Sequence, residues 1–173
     1  MISVVLGSVI SYLLGSIPFS YIVAKKVKGV DLRVTGEGNV GGRNVWHVVG
    51  KKYGAIAGLL DVLKGFSAYW VGSFLFFNLS PKLSPWYIWL CGLFVVVGHG
   101  FPVFLRGKGG KGAASALGFL FAMQPLIILI SGLLMVAVYL PSKRFHLALG
   151  IGMGSIPVLW WAFLGKSWQE LVV

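Results

Sequence analysis

Four long apolar runs restrict the folds open to this chain of 173 residues. A helix that crosses a membrane needs about 20 apolar residues, and four segments meet that requirement: Met1–Ala24, Tyr53–Leu79, Trp86–Leu105 and Phe145–Leu164. Only 11% of the residues are charged, where a soluble domain carries about 25%. The sequence therefore predicts an all-α protein, a polytopic integral membrane helical bundle that forms a single domain over residues 1–173.

The basic residues predict how this bundle is oriented. Of 15 Lys and Arg residues, 12 lie in three segments between apolar runs, at residues 25–52, 106–111 and 143–144. In membrane proteins the excess of positive charge lies in the cytoplasmic loops. With the N-terminus outside, all three segments face the cytoplasm, and only Lys82 and Lys166 lie outside.

This orientation depends on the region Gly112–Leu140, which fits two structures. It is either one long helix kinked at Pro125 or two shorter helices that turn at Gln124-Pro125. The charge rule favours two, because a single crossing would place the basic residues 143–144 outside. We therefore expect six crossings, with the apolar residues Trp168–Val173 beginning a further span that the chain does not complete.

Composition also limits the chemistry. The one cysteine, Cys91, cannot form a disulfide or a cysteine metal site within one chain, and two Asp and two Glu are too few for a convincing metal site. No metal or cofactor is expected. The net charge of +11 favours contact with anionic lipid headgroups first and an anionic substrate second.

Glycines alternate with cations just after the third apolar run. Glycine lets backbone amides approach phosphate oxygens, lysine adds positive charge, and a helix that starts after the loop would add its dipole. The segment is not a nucleotide-binding P-loop, because no strand precedes it. The predicted phosphate-binding residues, here called the glycine–lysine loop, are Lys108, Gly109, Gly110, Lys111 and Gly112.

Two other polar segments would lie on the same side of the membrane. Residues 35–44 contain four glycines and form either a flexible loop or a set of phosphate donors, to which an arginine guanidinium is well suited. Residues 141–144 form either a basic turn that only orients the protein or an additional anion site. The candidate residues in these segments are Asn39, Arg43, Asn44, Ser142 and Arg144.

Three ionisable residues inside the predicted spans, where a charge is costly, are candidates for chemistry. Asp61 and Lys64 are three residues apart and share one face of a helix. They form either a purely structural ion pair or a pair in which Asp61 holds Lys64 towards a polar pocket. His99 is either a structural hydrogen-bonding group or a functional one, since the glycines on both sides leave space beside its ring.

The order and spacing of these motifs resemble those of the bacterial acyl-phosphate:glycerol-3-phosphate acyltransferases of the PlsY type. The matching segments are residues 15–19, 36–44, 61–65, 98–104 and 108–112. The resemblance implies seven spans, an N-terminus outside, and glycine-rich loops facing the cytoplasm of a bacterial inner membrane. Three features depart from the family pattern. Glu37 replaces a serine, Arg43 stands where threonine is common, and the family's last helix has no counterpart before Val173.

The resemblance implies transfer of a fatty acyl group from acyl-phosphate to the 1-hydroxyl of glycerol 3-phosphate. The products are lysophosphatidic acid, for phospholipid biosynthesis, and inorganic phosphate. Because acyl-phosphate is an activated mixed anhydride, the protein need only orient two phosphates and stabilise an oxyanion. We expect a monomer in contact with these substrates and membrane lipid, with no nucleic acid partner. The predicted catalytic residues are His99, Lys64, Arg43 and Ser142, and the substrate-binding residues are Asn39, Asn44, Arg144 and the glycine–lysine loop.

The hydroxyl proton could pass to His99 or to the substrate's own phosphate. The second is favoured, because no carboxylate partner for His99 is evident in the sequence. Charged spans and glycine-broken helices also fit a small membrane transporter of a phosphorylated metabolite, although no internal repeat supports it. A scaffold that binds anionic lipid needs only a surface cluster, and the intramembrane pair Asp61 and Lys64 argues against it.

Overall fold

A computed structural model describes residues 2–79 and 85–165 of the chain. The described helices are α1 (Ile2–Ser16), α2 (Phe19–Lys28), α3 (Gly42–Val48), α4 (Lys51–Leu79), α5 (Ile88–Gly100), α6 (Ala113–Met123), α7 (Pro125–Ser142) and α8 (Phe145–Leu164). The chain divides into two compact units, Met1–Ala122 and Met123–Val173, and the expected single domain stays a prediction. The expectations for Lys82, Lys166 and Trp168–Val173 concern residues outside the described ranges.

The helical membrane bundle predicted from the apolar runs is confirmed. Within the described residues, five stretches are long and apolar enough to cross a membrane: Ile2–Lys28, Lys51–Leu79, Ile88–Leu105, Pro125–Ser142 and Phe145–Phe163. The helix breaks at Gln124, because α6 ends at Met123 and α7 begins at Pro125. Whether the chain turns or only kinks there stays a prediction. Helix α6 has only 11 residues. Its length of about 16 Å is roughly half of the hydrocarbon thickness, so the expected sixth crossing stays a prediction.

The first span is interrupted between α1 and α2. Pro18 lacks an amide hydrogen and cannot continue the helical hydrogen bonds, which leaves carbonyl groups of the last turn of α1 without their usual donors. The ammonium group of Lys64 from α4 donates to two backbone carbonyls at this break, those of Gly15 at 2.9 Å and Ile17 at 3.0 Å. A buried lysine therefore satisfies backbone groups that lipid could not.

Helices α1 and α5 are in direct backbone contact. A Cβ atom on Gly15 would overlap the Val95 carbonyl, and one on Gly98 would overlap the Tyr12 carbonyl. Small residues are what permit this approach in membrane helices. The Tyr12 hydroxyl also donates to the Phe101 carbonyl at 3.0 Å. These contacts place the C-terminal end of α5 beside the break between α1 and α2.

The segment that joins α2 to α3 is held by an ion pair at its start. Arg33 Nη2 lies 2.6 Å from Asp31 Oδ2. Hydrogen bonds from the Arg33 side chain and backbone lower the pKa of the Asp31 carboxyl to about 2. Leu32 and Val45 are buried in one apolar cluster with Ala24 of α2 and Ala57 of α4, so the segment packs against both helices.

The second unit contains α7 and α8. The Ser155 hydroxyl of α8 donates to the Ser131 hydroxyl of α7 at 3.0 Å, which joins the two helices through a polar contact. At the end of α7, the Ser142 hydroxyl donates to the Val138 carbonyl at 2.6 Å and accepts from the amide of Arg144 at 3.2 Å. In this structure the Ser142 hydroxyl therefore makes its hydrogen bonds to backbone groups of the turn at the end of α7.

Candidate active site

Five buried polar residues from four helices of the first unit form one group, here called the polar cluster. Helix α4 contributes two of them, and α2, α5 and α6 contribute one each. These helices are otherwise mostly apolar. Nearly all of the buried charge of this unit therefore lies in this one group of residues. The members of the polar cluster are Ser20, Asp61, Lys64, His99 and Ser115.

Asp61 is the centre of the polar cluster. Its Oδ1 atom lies 2.9 Å from Lys64 Nζ and 3.5 Å from His99 Nδ1, and its Oδ2 atom accepts a hydrogen bond of 2.9 Å from the Ser20 hydroxyl. The Ser115 hydroxyl is 3.4 Å from His99 Nδ1. His99 thus has a carboxylate partner, which the sequence did not reveal because the two residues lie on separate helices.

The ammonium group of Lys64 is fully occupied by protein atoms. It has three hydrogens to donate, and three oxygens lie within 3.0 Å: the carbonyls of Gly15 and Ile17, and Oδ1 of Asp61. Of the two alternatives drawn from the sequence, this arrangement favours the structural ion pair. A direct catalytic role for Lys64 stays a prediction.

The glycine–lysine loop folds back onto the end of α5. The amide of Gly110 donates to the His99 carbonyl and that of Gly109 to the Gly100 carbonyl, each at 3.1 Å. A Cβ atom on Gly110 would overlap both His99 Nε2 and the Val40 carbonyl. Nε2 of the imidazole therefore lies directly against the loop, on the side of the ring away from Asp61.

The amides of Gly109 and Gly110 are used in hydrogen bonds to α5. The expected binding of phosphate by these two glycines stays a prediction. The groups that remain for an anion are the exposed side chains of Lys108 and Lys111 and the first amides of α6, which begins just after Gly112.

Asn44 holds the loop that precedes α3 in one shape. Its side chain is completely buried; Nδ2 lies 3.3, 2.9 and 3.0 Å from the carbonyl oxygens of Leu32, Thr35 and Asn39, and Oδ1 accepts from the amide of Glu37 at 3.0 Å. The polar atoms of Asn44 are used within the loop in this conformation, and its expected contact with substrate stays a prediction. The loop is ordered by its own side chain and is not a flexible linker.

Arg43 forms an ion pair with the residue that departs from the family pattern. Its Nε atom lies 3.2 Å from Oε1 of Glu37, and both side chains are partly exposed. The neighbouring Val40 carbonyl is the group that lies against Gly110, so the loop of Arg43 meets the glycine–lysine loop. Asn39 is half-buried beside this junction, whereas Ser142 and Arg144 belong to the second unit.

The family of this chain follows from comparison with known proteins. A model of the glycerol-3-phosphate acyltransferase family matches residues 5–173. The chain belongs to this family. The resemblance inferred from the sequence motifs is thereby confirmed, and the transporter and lipid-scaffold alternatives are not supported.

Individual relatives agree with this assignment. A glycerol-3-phosphate acyltransferase of Aquifex aeolicus is 44% identical over 140 residues, which are 81% of this chain and 70% of the relative. One of Clostridioides difficile is 38% identical over 158 residues, or 90% of this chain and 76% of the relative.

Two solved structures share the fold. The crystal structure of PlsY, an integral membrane glycerol 3-phosphate acyltransferase, in its glycerol 3-phosphate form has a TM-score of 0.80 and 39% identity. That match covers 92% of this chain and 77% of that one. The lysophosphatidic acid form has a TM-score of 0.78 and 38% identity, and covers 92% of this chain and 76% of that one.

Proposed function

We propose that this acyltransferase moves a fatty acyl group from acyl-phosphate to the 1-hydroxyl of glycerol 3-phosphate. One observation carries the proposal: the buried polar cluster presents His99 Nε2 to a glycine–lysine loop at the end of an apolar helical bundle. The acceptor and the product, lysophosphatidic acid, are those for which the two PlsY forms are named. Acyl-phosphate as the donor is what the resemblance to the PlsY type implies.

The first requirement is to hold a soluble anion beside a lipid. Lys108 and Lys111 carry exposed ammonium groups on the glycine–lysine loop, and Arg43 lies at the start of α3, three residues after the Val40 carbonyl that lies against Gly110. A doubly charged phosphate therefore has cationic partners there. We assign the same substrate to Asn39, Ser142 and Arg144. The fatty chain of the donor remains with the apolar helices and membrane lipid.

The second requirement is catalysis of acyl transfer. It asks little of the protein, because the donor is already activated. The acceptor hydroxyl attacks the carbonyl carbon of the mixed anhydride and loses its proton. The bond from that carbon to the phosphate oxygen breaks, and the proton leaves with the inorganic phosphate. The protein supplies orientation and positive charge for two phosphates and an oxyanion. The proposal therefore uses no metal ion or cofactor.

An assay of the purified protein tests the donor and the acceptor together. We expect phosphate release from acyl-phosphate only when glycerol 3-phosphate is present, with equimolar lysophosphatidic acid detected by mass spectrometry. Activity should persist in EDTA, and acyl-coenzyme A should not replace the donor. Phosphate release that does not depend on the acceptor, or transfer from the thioester alone, contradicts the proposal.

We place the site on the cytoplasmic face of a bacterial inner membrane, in a monomer. The basic segments support this orientation. In a Cys91→Ala background, cysteines at positions 37 and 108 should resist an impermeant maleimide in intact cells and react after permeabilisation. A cysteine at position 78, near the opposite end of α4, is the matched control and should react in intact cells. Labelling of 37 or 108 from outside overturns the orientation.

A further inference from the structure

We propose that one end of the first unit binds the headgroups of anionic lipids through a group of exposed lysines. The group lies where the end of α2 meets the start of α4, and exposed apolar side chains farther along α4 contact the chains of the same lipids. This interaction is separate from acyl transfer and does not depend on the proposed function. The members of the group, here called the lysine patch, are Lys25, Lys26, Lys28, Lys51 and Lys52.

The fold brings the lysine patch together from two distant parts of the chain. Three of its members lie in the last turn of α2, and the other two begin α4. The ammonium group of Lys28 donates to the carbonyl oxygen of Val48, the last residue of α3, at 2.6 Å. Because Val48 lies only three residues before Lys51, this hydrogen bond holds the end of α2 beside the start of α4.

The positive charge of the lysine patch is not neutralised by an ion pair within residues 2–79 and 85–165. Each carboxylate in these ranges lies within ion-pair distance of a cation outside the patch. These pairs are Asp31 with Arg33, Glu37 with Arg43, and Asp61 with Lys64. The patch therefore presents positive charge that only a partner from outside these ranges can neutralise.

Exposed apolar side chains continue from the lysine patch along one face of α4. Lys52, Ile56, Leu59 and Leu63 are spaced by four, three and four residues, which places them on the same side of the helix. The three apolar side chains are 40%, 59% and 47% exposed. At 1.5 Å per residue, Leu59 lies about 10 Å from Lys52 along the helix axis. This order, first a charge and then an apolar surface, matches the headgroup and chains of one lipid.

This arrangement favours a lipid over an acidic soluble protein as the partner. An acidic protein could neutralise the ammonium groups, but it would not cover an apolar face that belongs to a membrane-spanning helix. Charge then selects the class of lipid. Phosphatidylcholine carries its own cation and has no net charge, whereas phosphatidylglycerol is an anion.

The exposed lysines set the expected strength of this preference. A lysine near an anionic membrane surface contributes favourably to binding, and the contributions of several lysines accumulate. For Lys26, Lys51 and Lys52 together, we expect the anionic lipid to be favoured about tenfold to a hundredfold over the neutral one. The ammonium groups of Lys25 and Lys28 are partly used in hydrogen bonds to the carbonyls of Gly29 and Val48.

Fluorescence quenching by brominated lipids tests the proposal at the site itself. In a Cys91→Ala background, Ile56→Cys is labelled with bimane, and the protein is placed in phosphatidylcholine nanodiscs that contain a minor fraction of a lipid with brominated chains. Brominated phosphatidylglycerol should quench this label more than brominated phosphatidylcholine does at the same mole fraction. The matched position is Phe74→Cys, which is 65% exposed near the other end of α4 and should be quenched equally by both lipids.

Variants of the lysine patch assign the preference to charge. Replacing Lys26, Lys51 and Lys52 together with glutamine should remove the excess quenching at position 56, and replacing them with arginine should retain it. The excess should also disappear in 1 M salt, where the Debye length is about 3 Å. A control variant loses the same number of charges elsewhere, through Lys108→Gln, Lys111→Gln and Lys143→Gln, and should keep the excess.

Three results would overturn the inference. Equal quenching at position 56 by the two lipids would leave an acidic soluble protein as the partner of the lysine patch. An excess that persists in the glutamine variant would show that other groups select the lipid. An equal loss of the excess in the glutamine variant and the control variant would show a response to overall charge. Because the readout is lipid contact and not turnover, failure of the proposed acyl transfer would not produce any of these results.

Discussion

Lys64 and Gly15 are 49 residues apart in the chain and are joined by a hydrogen bond of 2.9 Å between an ammonium group and a backbone carbonyl. The bond ties the interruption of the first span to the ion pair of the second long span. The same ammonium holds Asp61, so the shape of the membrane helices and the direction of His99 depend on one side chain.

Replacing Lys64 with methionine should therefore destabilise the fold. The change leaves the Asp61 carboxylate buried without its charge partner, which costs about 3–5 kcal/mol. Thermal unfolding in detergent, followed by tryptophan fluorescence, measures the effect. Lys52→Met, at an exposed position of the same helix, is the control and should change stability by less than about 0.5 kcal/mol. Equal stability of the two variants would falsify this account of the cluster.

Gly110→Ala should reduce activity more than stability. The added methyl group would displace His99 Nε2 or the Val40 carbonyl, and a misplacement of about 1 Å at a reacting group can cost a hundredfold in rate. The matched variant is Gly100→Ala, whose Cβ would meet nothing closer than the Gly110 carbonyl at 3.6 Å. Steady-state assays should show a large loss in kcat for the first and little change for the second. Similar kcat values for the two variants would argue against contact between the glycine–lysine loop and the His99 imidazole.

Lys111→Ala should weaken the use of glycerol 3-phosphate. A hydrogen bond between a charged side chain and phosphate is worth about 1.5–3 kcal/mol, so the KM for the acceptor should rise about tenfold to a hundredfold. Lys26→Ala removes an exposed cation from α2 and serves as the control for a general loss of positive charge. If both variants raise KM equally, Lys111 acts only through the overall positive charge of the protein, and the assigned contact between Lys111 and phosphate is wrong.

Glu37→Gln should improve binding of the acceptor. The Glu37 carboxylate competes with phosphate for the guanidinium of Arg43, and an exposed ion pair is worth at most about 1 kcal/mol. The KM for glycerol 3-phosphate should fall about twofold to fivefold. Asp31→Asn removes a carboxylate paired with a different arginine, Arg33, and should leave KM unchanged. A rise in KM on Glu37→Gln would mean that the carboxylate assists binding.

The sequence predicted more of the fold than of the candidate site. Apolar length predicted the helical bundle, because spanning helices follow from the membrane as solvent, and the helix breaks at Gln124-Pro125, where both alternatives had placed it. The 11 residues of α6 fit the alternative of two shorter helices, but apolar composition alone does not show whether so short a helix crosses the membrane. The link from Asp61 to His99 was missed because spacing predicts neighbours within one helix and not between two. The amide side chain of Asn44 suits contact with phosphate, which stays a prediction, and only the structure reveals that it also bonds within its own loop.

The bonds of Asn44 also bear on how the protein meets its substrate. A glycine-rich loop in solution samples many backbone conformations, and a ligand that must select one of them binds more weakly by the entropy lost. Here one asparagine makes that selection during folding, through contacts within the loop. Arg43, the adjacent residue, is therefore presented on a backbone whose order does not depend on the ligand. The affinity of Arg43 for a ligand should consequently depend on the charge of the ligand. It should depend less on temperature through ordering of the protein backbone.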